Sequence, residues 1–490
     1  MIDLTVHPEK LRHAIDRAKE RNILIPTFAQ MRNPSLVPER VRKGLKNVGL
    51  WDVNPLNLFR ITWHNEPTMQ GGGYGKVNFI ELPSSLTGVD ARIVVLCGKW
   101  FPTGCHKVGA SFGCLAPRLV TGQFDPTYNK AVWPSTGNYC RGGAYNSKLL
   151  GCESIAILPA EMSKERFEWL SQIAGEVIAT PGCESNVKEI FDKTKELRET
   201  REDVVIFNQF EEMGNVLWHY QVTGHAIEEA YEAIKTPSSR FAGACFTSGS
   251  AGTMSAGDYL KEKYPYSKLA VGEALQCPTL LENGFGGHRI EGIGDKHVPW
   301  VHNVKNTDMV IAIDDDDSQN LLRLFNTEEG HKYLTDVAGV PEETVEQLSL
   351  LGISGIANVL CCIKFAKYYE LTGDDVVATV GTDSAVMYES RITELNEQQG
   401  KYSLLTAARD FSEHLSGVRT DAMQELTYAD RKRVHNLKYY TWVEQQGKTY
   451  EEINAQWYDR DYWTGIHAQA DDLDKLINDF NAQTGVLEKL

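Results

Sequence analysis

The sequence predicts an α/β fold of two three-layer αβα domains with mostly parallel sheets, extended at both chain ends. Short apolar runs bounded by Gly, Pro or Asp alternate with amphipathic stretches of helical period, as in a parallel sheet covered by helices. The runs show little apolar–polar alternation within themselves, as expected of strands buried on both faces. Their number points to two such units rather than one.

Taken in order, residues 1–80 read as an N-terminal extension with broken patterns and several prolines, ending near Pro83. Strands are predicted at Arg92–Leu96, Ser154–Leu158, Asp203–Phe207, Phe241–Phe246, Lys268–Val271, Met309–Ile313 and Val376–Val380. Between the second and third of these, Asn186 with Glu189 three residues on forms a capping box. The helix that follows aligns Val187, Ile190, Phe191, Thr194 and Leu197 on one face. The core is expected over 81–395, its smaller subdomain at about 112–235 and its larger subdomain in the rest. Residues 396–490 change character: Tyr439, Tyr440, Trp442, Trp457, Tyr458, Tyr462 and Trp463 crowd a polar region, and a last helix aligns Leu473, Leu476, Ile477 and Phe480. This mainly helical C-terminal extension reads as a flap sealing the core, or as a cover for a dimer interface or an active-site mouth.

Composition narrows the function. The 490 residues carry a net charge of −16, with no basic stripe of the kind that nucleic acid needs. No run approaches the roughly 18 apolar residues of a spanning helix, and the first residues lack a secretory signal pattern. Ten cysteines form neither a CxxC pair nor a disulfide framework. A reduced, cytoplasmic protein without membrane or nucleic-acid partners is expected.

Four segments carry chemistry. Pro102–Ser111 sets Lys107 among glycines and small residues just after a strand, where a confined amine can act as a Schiff-base nucleophile. Ser135-Thr136-Gly137-Asn138 enters a helix predicted at Cys140–Leu150, and hydroxyls and N–H groups at a helix N-terminus can hold a carboxylate. Thr247-Ser248-Gly249-Ser250-Ala251-Gly252-Thr253 lies between a strand and a helix, where small residues let backbone N–H groups approach phosphate. It lacks the GK[ST] ending of a nucleotide P-loop. Gly381-Thr382-Asp383-Ser384 follows the last strand, the end at which open α/β sheets bind ligands. No metal is expected: His288, His297 and His302 match no ligand spacing, and Asp314–Asp317 read as a helix cap.

In their joint order these segments resemble fold-type II pyridoxal-phosphate enzymes (tryptophan synthase β-like), in particular the cysteine synthase and cystathionine β-synthase family. Asn208-Gln209-Phe210, His219–Gly224, Glu291-Gly292-Ile293-Gly294 and Gly352–Gly355 are similar to further family segments. The resemblance covers residues 80–395. It implies pyridoxal 5′-phosphate held by Lys107, the catalytic lysine, with Asn138 near the cofactor's O3′. Gly249, Ser250, Ala251, Gly252 and Thr253 would hold the phosphate, and Ser384 would face the pyridine nitrogen. Ser135, Thr136, Gly137, Asn138, Gln209 and Gly292 would bind substrate. Around the lysine, Thr-Gly-Cys-His-Lys-Val is closer to the tryptophan synthase β-subunit, which implies a phosphate contact for His106. Ala251 stands where the family usually has glycine, and both extensions are foreign to a minimal cysteine synthase. The activity implied is β-elimination or β-replacement on a serine- or cysteine-type amino acid through an aminoacrylate, with a thiol or sulfide as co-substrate in replacement. Threonine synthase- or dehydratase-like chemistry is the alternative, and a cofactor-binding partner subunit or amino-acid sensor a further one. A homodimer is implied by the same resemblance.

Overall fold

A computed structural model describes residues 1–135, 137–162, 164–182, 187–294 and 296–490. Asn186, the expected helix cap, and Thr136 lie outside the described residues. Eleven strands are present among the described residues: β1 (Phe79–Leu82), β2 (Arg92–Cys97), β3 (Lys130–Pro134), β4 (Glu153–Pro159), β5 (Glu176–Thr180), β6 (Val204–Ile206), β7 (Arg240–Thr247), β8 (Lys268–Ala274), β9 (Met309–Ile313), β10 (Asp375–Gly381) and β11 (Met423–Glu425). They form a seven-stranded sheet in the order β1-β2-β10-β7-β8-β9-β11 and a four-stranded sheet in the order β5-β4-β3-β6. The small sheet is wholly parallel. In the large one only the edge strands β1 and β11 run antiparallel to their neighbours.

The central strands are apolar on both faces because helices cover both. Every residue of β9 and β10 is buried. The helix Ile353–Tyr368 lies across β7 and β10, and its first fourteen residues, Ile353 to Ala366, are all buried. On the other face of the large sheet, Val94, Leu96, Ala378 and Val380 join a core shared with the helix Lys107–Val120. Predicted helix boundaries shift slightly: the helix after β3 is Asn138–Leu149, beginning at Asn138 rather than Cys140. In the helix Val187–Thr200 the expected face is buried at Val187, Ile190, Thr194 and Leu197.

The two extensions pack together. Leu473, Ile477 and Phe480 of the last helix, Gln469–Thr484, join a core with Ile15, Ile23, Ile25 and Phe28. Asn481 accepts from the Ile25 N–H and donates to its carbonyl, and Asp474 accepts from the N–H groups of Phe28 and Ala29. The C-terminal extension also supplies β11 to the edge of the large sheet. The acidic run behaves as a cap: Asp314 accepts from the Asp316 N–H, and Arg289 pairs with Asp315 and Asp316. His288, His297 and His302 have separate surroundings: a backbone N–H, an aromatic cluster and Thr307.

Candidate active site

Parallel strands place their C-terminal ends side by side, and the chemical segments emerge there. The ends of β2 and β10 touch so closely that a Cβ on Gly98 would lie 2.3 Å from the Thr382 carbonyl oxygen. Beyond β2 the chain turns sharply through two residues at positive φ, Thr103 and Gly104. It then enters the helix at Lys107, and the His106 N–H donates to the Thr382 carbonyl at 3.3 Å. Lys107 Nζ donates to Ser250 Oγ at 3.1 Å and to Gln209 Oε1 at 3.4 Å. The lysine, the loop after β7 and the loop after β6 therefore meet at one amine.

A narrow cleft is lined by Lys107, Ser135, Asn138, Gln209, Gly249, Ser250 and Gly292, together with Tyr139, Phe210, Ile293 and Gly294. Seven predicted site residues thus line one cleft. His106, Gly137, Ala251, Gly252, Thr253 and Ser384 are not in that lining. Ser384 is buried beside Asp383. Gly137 precedes the Asn138 helix, its N–H donating to Ser135 Oγ.

The loop Gly249–Thr253 has the makings of an anion seat. Its five consecutive backbone N–H groups meet no acceptor among the described residues, and it opens the ten-residue helix Met254–Lys263. Free N–H groups and the helix dipole together favour a phosphate there. Ala251 sits at φ 61°, a left-handed conformation costly to any residue with a Cβ. Gly252 has no such choice, since a Cβ would lie 2.1 Å from Asn215 Oδ1.

Asn215 was not legible as a site residue, yet it joins the walls. Wholly buried, its Nδ2 donates to the Gln209 carbonyl at 3.0 Å and to Ser250 Oγ at 3.1 Å. The signal available in sequence was one amide inside the apolar run Met213–Trp218, a position that demands partners when buried. Asp383 is a second unforeseen member. Its buried Oδ2 accepts from Asn138 Nδ2 and from the Tyr388 hydroxyl, each at 2.7 Å. That bond fixes the amide's orientation and leaves Asn138 Oδ1 buried without a partner among the described residues.

Burial sets the electrostatics. His106 is held down to about 3, by desolvation first and by the neighbouring Lys107 charge second, so its imidazole is neutral. Its ring packs between Trp63 and His219, and neither nitrogen has a partner among the described residues. His219 is pushed down in the same way. Desolvation raises the Cys105 thiol to about 12, which makes it a poor nucleophile despite its place two residues before the lysine. An amine able to meet an aldehyde, five unspent N–H groups and an unpartnered amide oxygen fit pyridoxal phosphate.

Comparison with known proteins agrees with that fit. A family model described as "Pyridoxal-phosphate dependent enzyme" matches residues 72–333. A probable cysteine synthase of Bacillus subtilis is 29% identical over 290 residues, covering 59% of this chain and 85% of the relative. The cystathionine beta-synthase of Saccharomyces cerevisiae is 25% identical over 323 residues, 64% of this chain and 60% of that one. Among solved structures, a hydrogen sulfide-producing enzyme from Fusobacterium nucleatum superposes with a TM-score of 0.54 at 23% identity, covering 68% and 92% of the two chains. O-acetyl serine sulfhydrylase isoform 3 from Entamoeba histolytica gives 0.56 at 20% identity, covering 69% and 92%. These likenesses show the shared fold.

Proposed function

The chain belongs to the pyridoxal-phosphate dependent enzyme family, and from that premise we propose that it catalyses β-elimination or β-replacement on a serine- or cysteine-type amino acid. The observation that carries the reading is the meeting of Lys107 Nζ with Ser250 and Gln209 in a cleft shared with Ser135 and Asn138. Resemblance to cysteine synthases and cystathionine beta-synthase supports the substrate class.

When bound, pyridoxal phosphate supplies the electron sink for chemistry at the amino-acid α-carbon. Lys107 would hold its aldehyde and Gly249–Thr253 its phosphate through backbone N–H groups, with Ser250 also bonded to the lysine. Asn138, held by Asp383, would offer its amide to the cofactor, and Ser384 would supply a neutral hydroxyl to the ring nitrogen. Ser135 and Gly137, just ahead of the helix that begins at Asn138, would bind the substrate carboxylate together with Thr136, and Gln209 and Gly292 would complete the substrate site. The Lys107 amine would move the α-proton as general base. His106 is a neutral neighbour of the phosphate end. A thiol or sulfide is the second substrate where replacement occurs.

The catalytic core is assigned to 81–395, with a smaller subdomain at about 112–235, which spans the four-stranded sheet. Residues 1–80 and 396–490 are its extensions. A cytoplasmic homodimer is proposed. The burial of all nine described cysteines as free thiols supports a reducing compartment, and the family resemblance supports the dimer, which light scattering checks.

The test is the visible absorption spectrum during titration with L-serine, L-cysteine, O-acetylserine and L-threonine. A visible band that Lys107→Ala abolishes, and that shifts with a serine- or cysteine-type amino acid, is expected. A band unchanged in Lys107→Ala overturns the assignment of the lysine. A response to L-threonine alone overturns the substrate class.

A further inference from the structure

The family match ends at residue 333, but residues beyond 430 reach the two loops that wall the substrate side of the cleft. Lys438 is wholly buried, and its Nζ donates to the Trp300 carbonyl at 2.9 Å, the His302 carbonyl at 2.7 Å and Gln456 Oε1 at 2.6 Å. Its three donors are spent on three neutral acceptors, an arrangement whose desolvation is costly for an ammonium. Gln456 Nε2 donates to the same Trp300 carbonyl, and the buried Trp442 indole donates to the Val298 carbonyl at 2.8 Å. Residues 298–302 follow Gly292-Ile293-Gly294, which line the cleft, after three intervening positions in the sequence.

The other wall is reached by a second arm. Trp442 packs against Phe191 and His297, with ring centroids 6.3 and 5.8 Å away, and both of those rings pack against Phe210, the neighbour of Gln209. Lys448 pairs with Glu211 at 2.9 Å. The two loops are themselves joined, the Val301 N–H donating to the Phe210 carbonyl at 3.1 Å. Among the described residues no hydrogen bond, ion pair or ring contact runs from 438–463 to the loop 249–253.

We propose that Lys438 and Trp442 are positioning residues: through them the C-terminal extension sets Gln209 and Gly292 for the amino-acid substrate, and the phosphate seat feels it only at second hand, through Asn215 and Ser248. The reference to substrate rests on the function proposed above; the mechanical coupling does not. The test uses full-length Lys438→Met and, as a milder change that keeps the ring, Trp442→Phe. Hydrogen–deuterium exchange is read in segments 208–213, 290–294 and 249–253 without any substrate. Faster exchange in the first two segments, with a smaller rise in 249–253, is expected. Exchange that rises only in 296–302 and the extension, or equally in 249–253, overturns the proposal. In the cofactor-loaded protein, KM for the responding amino acid should rise roughly tenfold, since small misplacements of substrate-positioning groups cost that much or more. Cofactor affinity should stay within about twofold. If no amino acid perturbs the unmodified protein's spectrum, the functional reading fails, while the exchange result still decides the coupling.

Discussion

Asn215→Leu tests whether the cleft walls are held by one amide. The substitution keeps the heavy-atom count and branching and removes two hydrogen bonds, to the Gln209 carbonyl at 3.0 Å and to Ser250 Oγ at 3.1 Å. Ser250 retains Lys107 Nζ as a partner, so that loss amounts to an ordinary hydrogen bond, about 1 kcal/mol. Gln209 is 5% exposed, and its carbonyl, left without a donor, costs about 1–3 kcal/mol. The total is about 2–4 kcal/mol. Because the bonds tie the lysine's two partners together, part of this loss falls on the cofactor-competent geometry. If half does, cofactor affinity drops by about 1–2 kcal/mol, or roughly five- to thirtyfold. The assay is a cofactor titration followed by visible absorbance, paired with a urea unfolding curve of the cofactor-free protein. Cofactor binding within twofold of the parent and an unshifted urea midpoint would refute the reasoning. Asn215→Asp should bind more weakly still, because it adds a carboxylate next to the proposed phosphate seat.

The loop itself gives a contrasting pair. Gly252→Ala should abolish cofactor binding, because its Cβ would lie 2.1 Å from Asn215 Oδ1; retained binding in the same titration would count against a close-packed seat. Ala251→Gly should leave stability within about 1 kcal/mol by urea denaturation: relief of left-handed strain, about 1–2 kcal/mol, is offset by a lost buried methyl, about 0.8 kcal/mol, and by a freer unfolded chain, about 0.4–1 kcal/mol. The pH dependence of the urea midpoint follows from two opposed sets of groups. Burial holds His106, His297, His302 and His435 down to about 3, and His225, His288 and His467 down to about 4; the unfolded state then binds more protons, and stability is lost as pH falls below the ordinary histidine value. Burial lifts Asp258 and Glu273 to about 7; for these the folded state binds more protons, so their contribution declines as pH rises from their ordinary values through about 7. The midpoint should rise as pH climbs from about 4 to about 6.5 and level off above about 7, and the rise should steepen in Asp258→Asn with Glu273→Gln, which removes the opposing contribution.

The legible part of the fold was the part with a local signal. β7, β9 and β10 are apolar runs ended by glycine, hydroxyls or aspartate, and their burial on both faces is visible as missing alternation. The strands missed are those whose definition comes from a neighbour. β11 is three residues, Met423–Glu425, with none wholly buried, and exists because it pairs with β9. β5 is a half-exposed edge of the small sheet, and β3 ends in Trp133-Pro134. In the same way, the helix after β3 begins at Asn138, where a small-residue loop gave no apolar period to count.

The site divides along the same line. Lys107, Ser135, Asn138 and Gly249–Thr253 were legible because each lies in a run of small or polar residues just past a strand, and parallel sheets bring such ends together. No local signal names the partners of Asn215, Asp383 or Lys438, because each acquires its role from a residue far along the chain: Ser250 is 35 residues from Asn215, Asp383 is 245 from Asn138, and Trp300 is 138 from Lys438. All three are polar groups buried among apolar ones, and a buried donor without a partner costs more than a satisfied one contributes. Such a residue in an otherwise apolar stretch therefore predicts that a partner exists without saying where. The residues proposed to contact a ligand were thus readable from their local sequence, while the residues that hold them in place became visible only once the two sheets and the C-terminal extension were brought together.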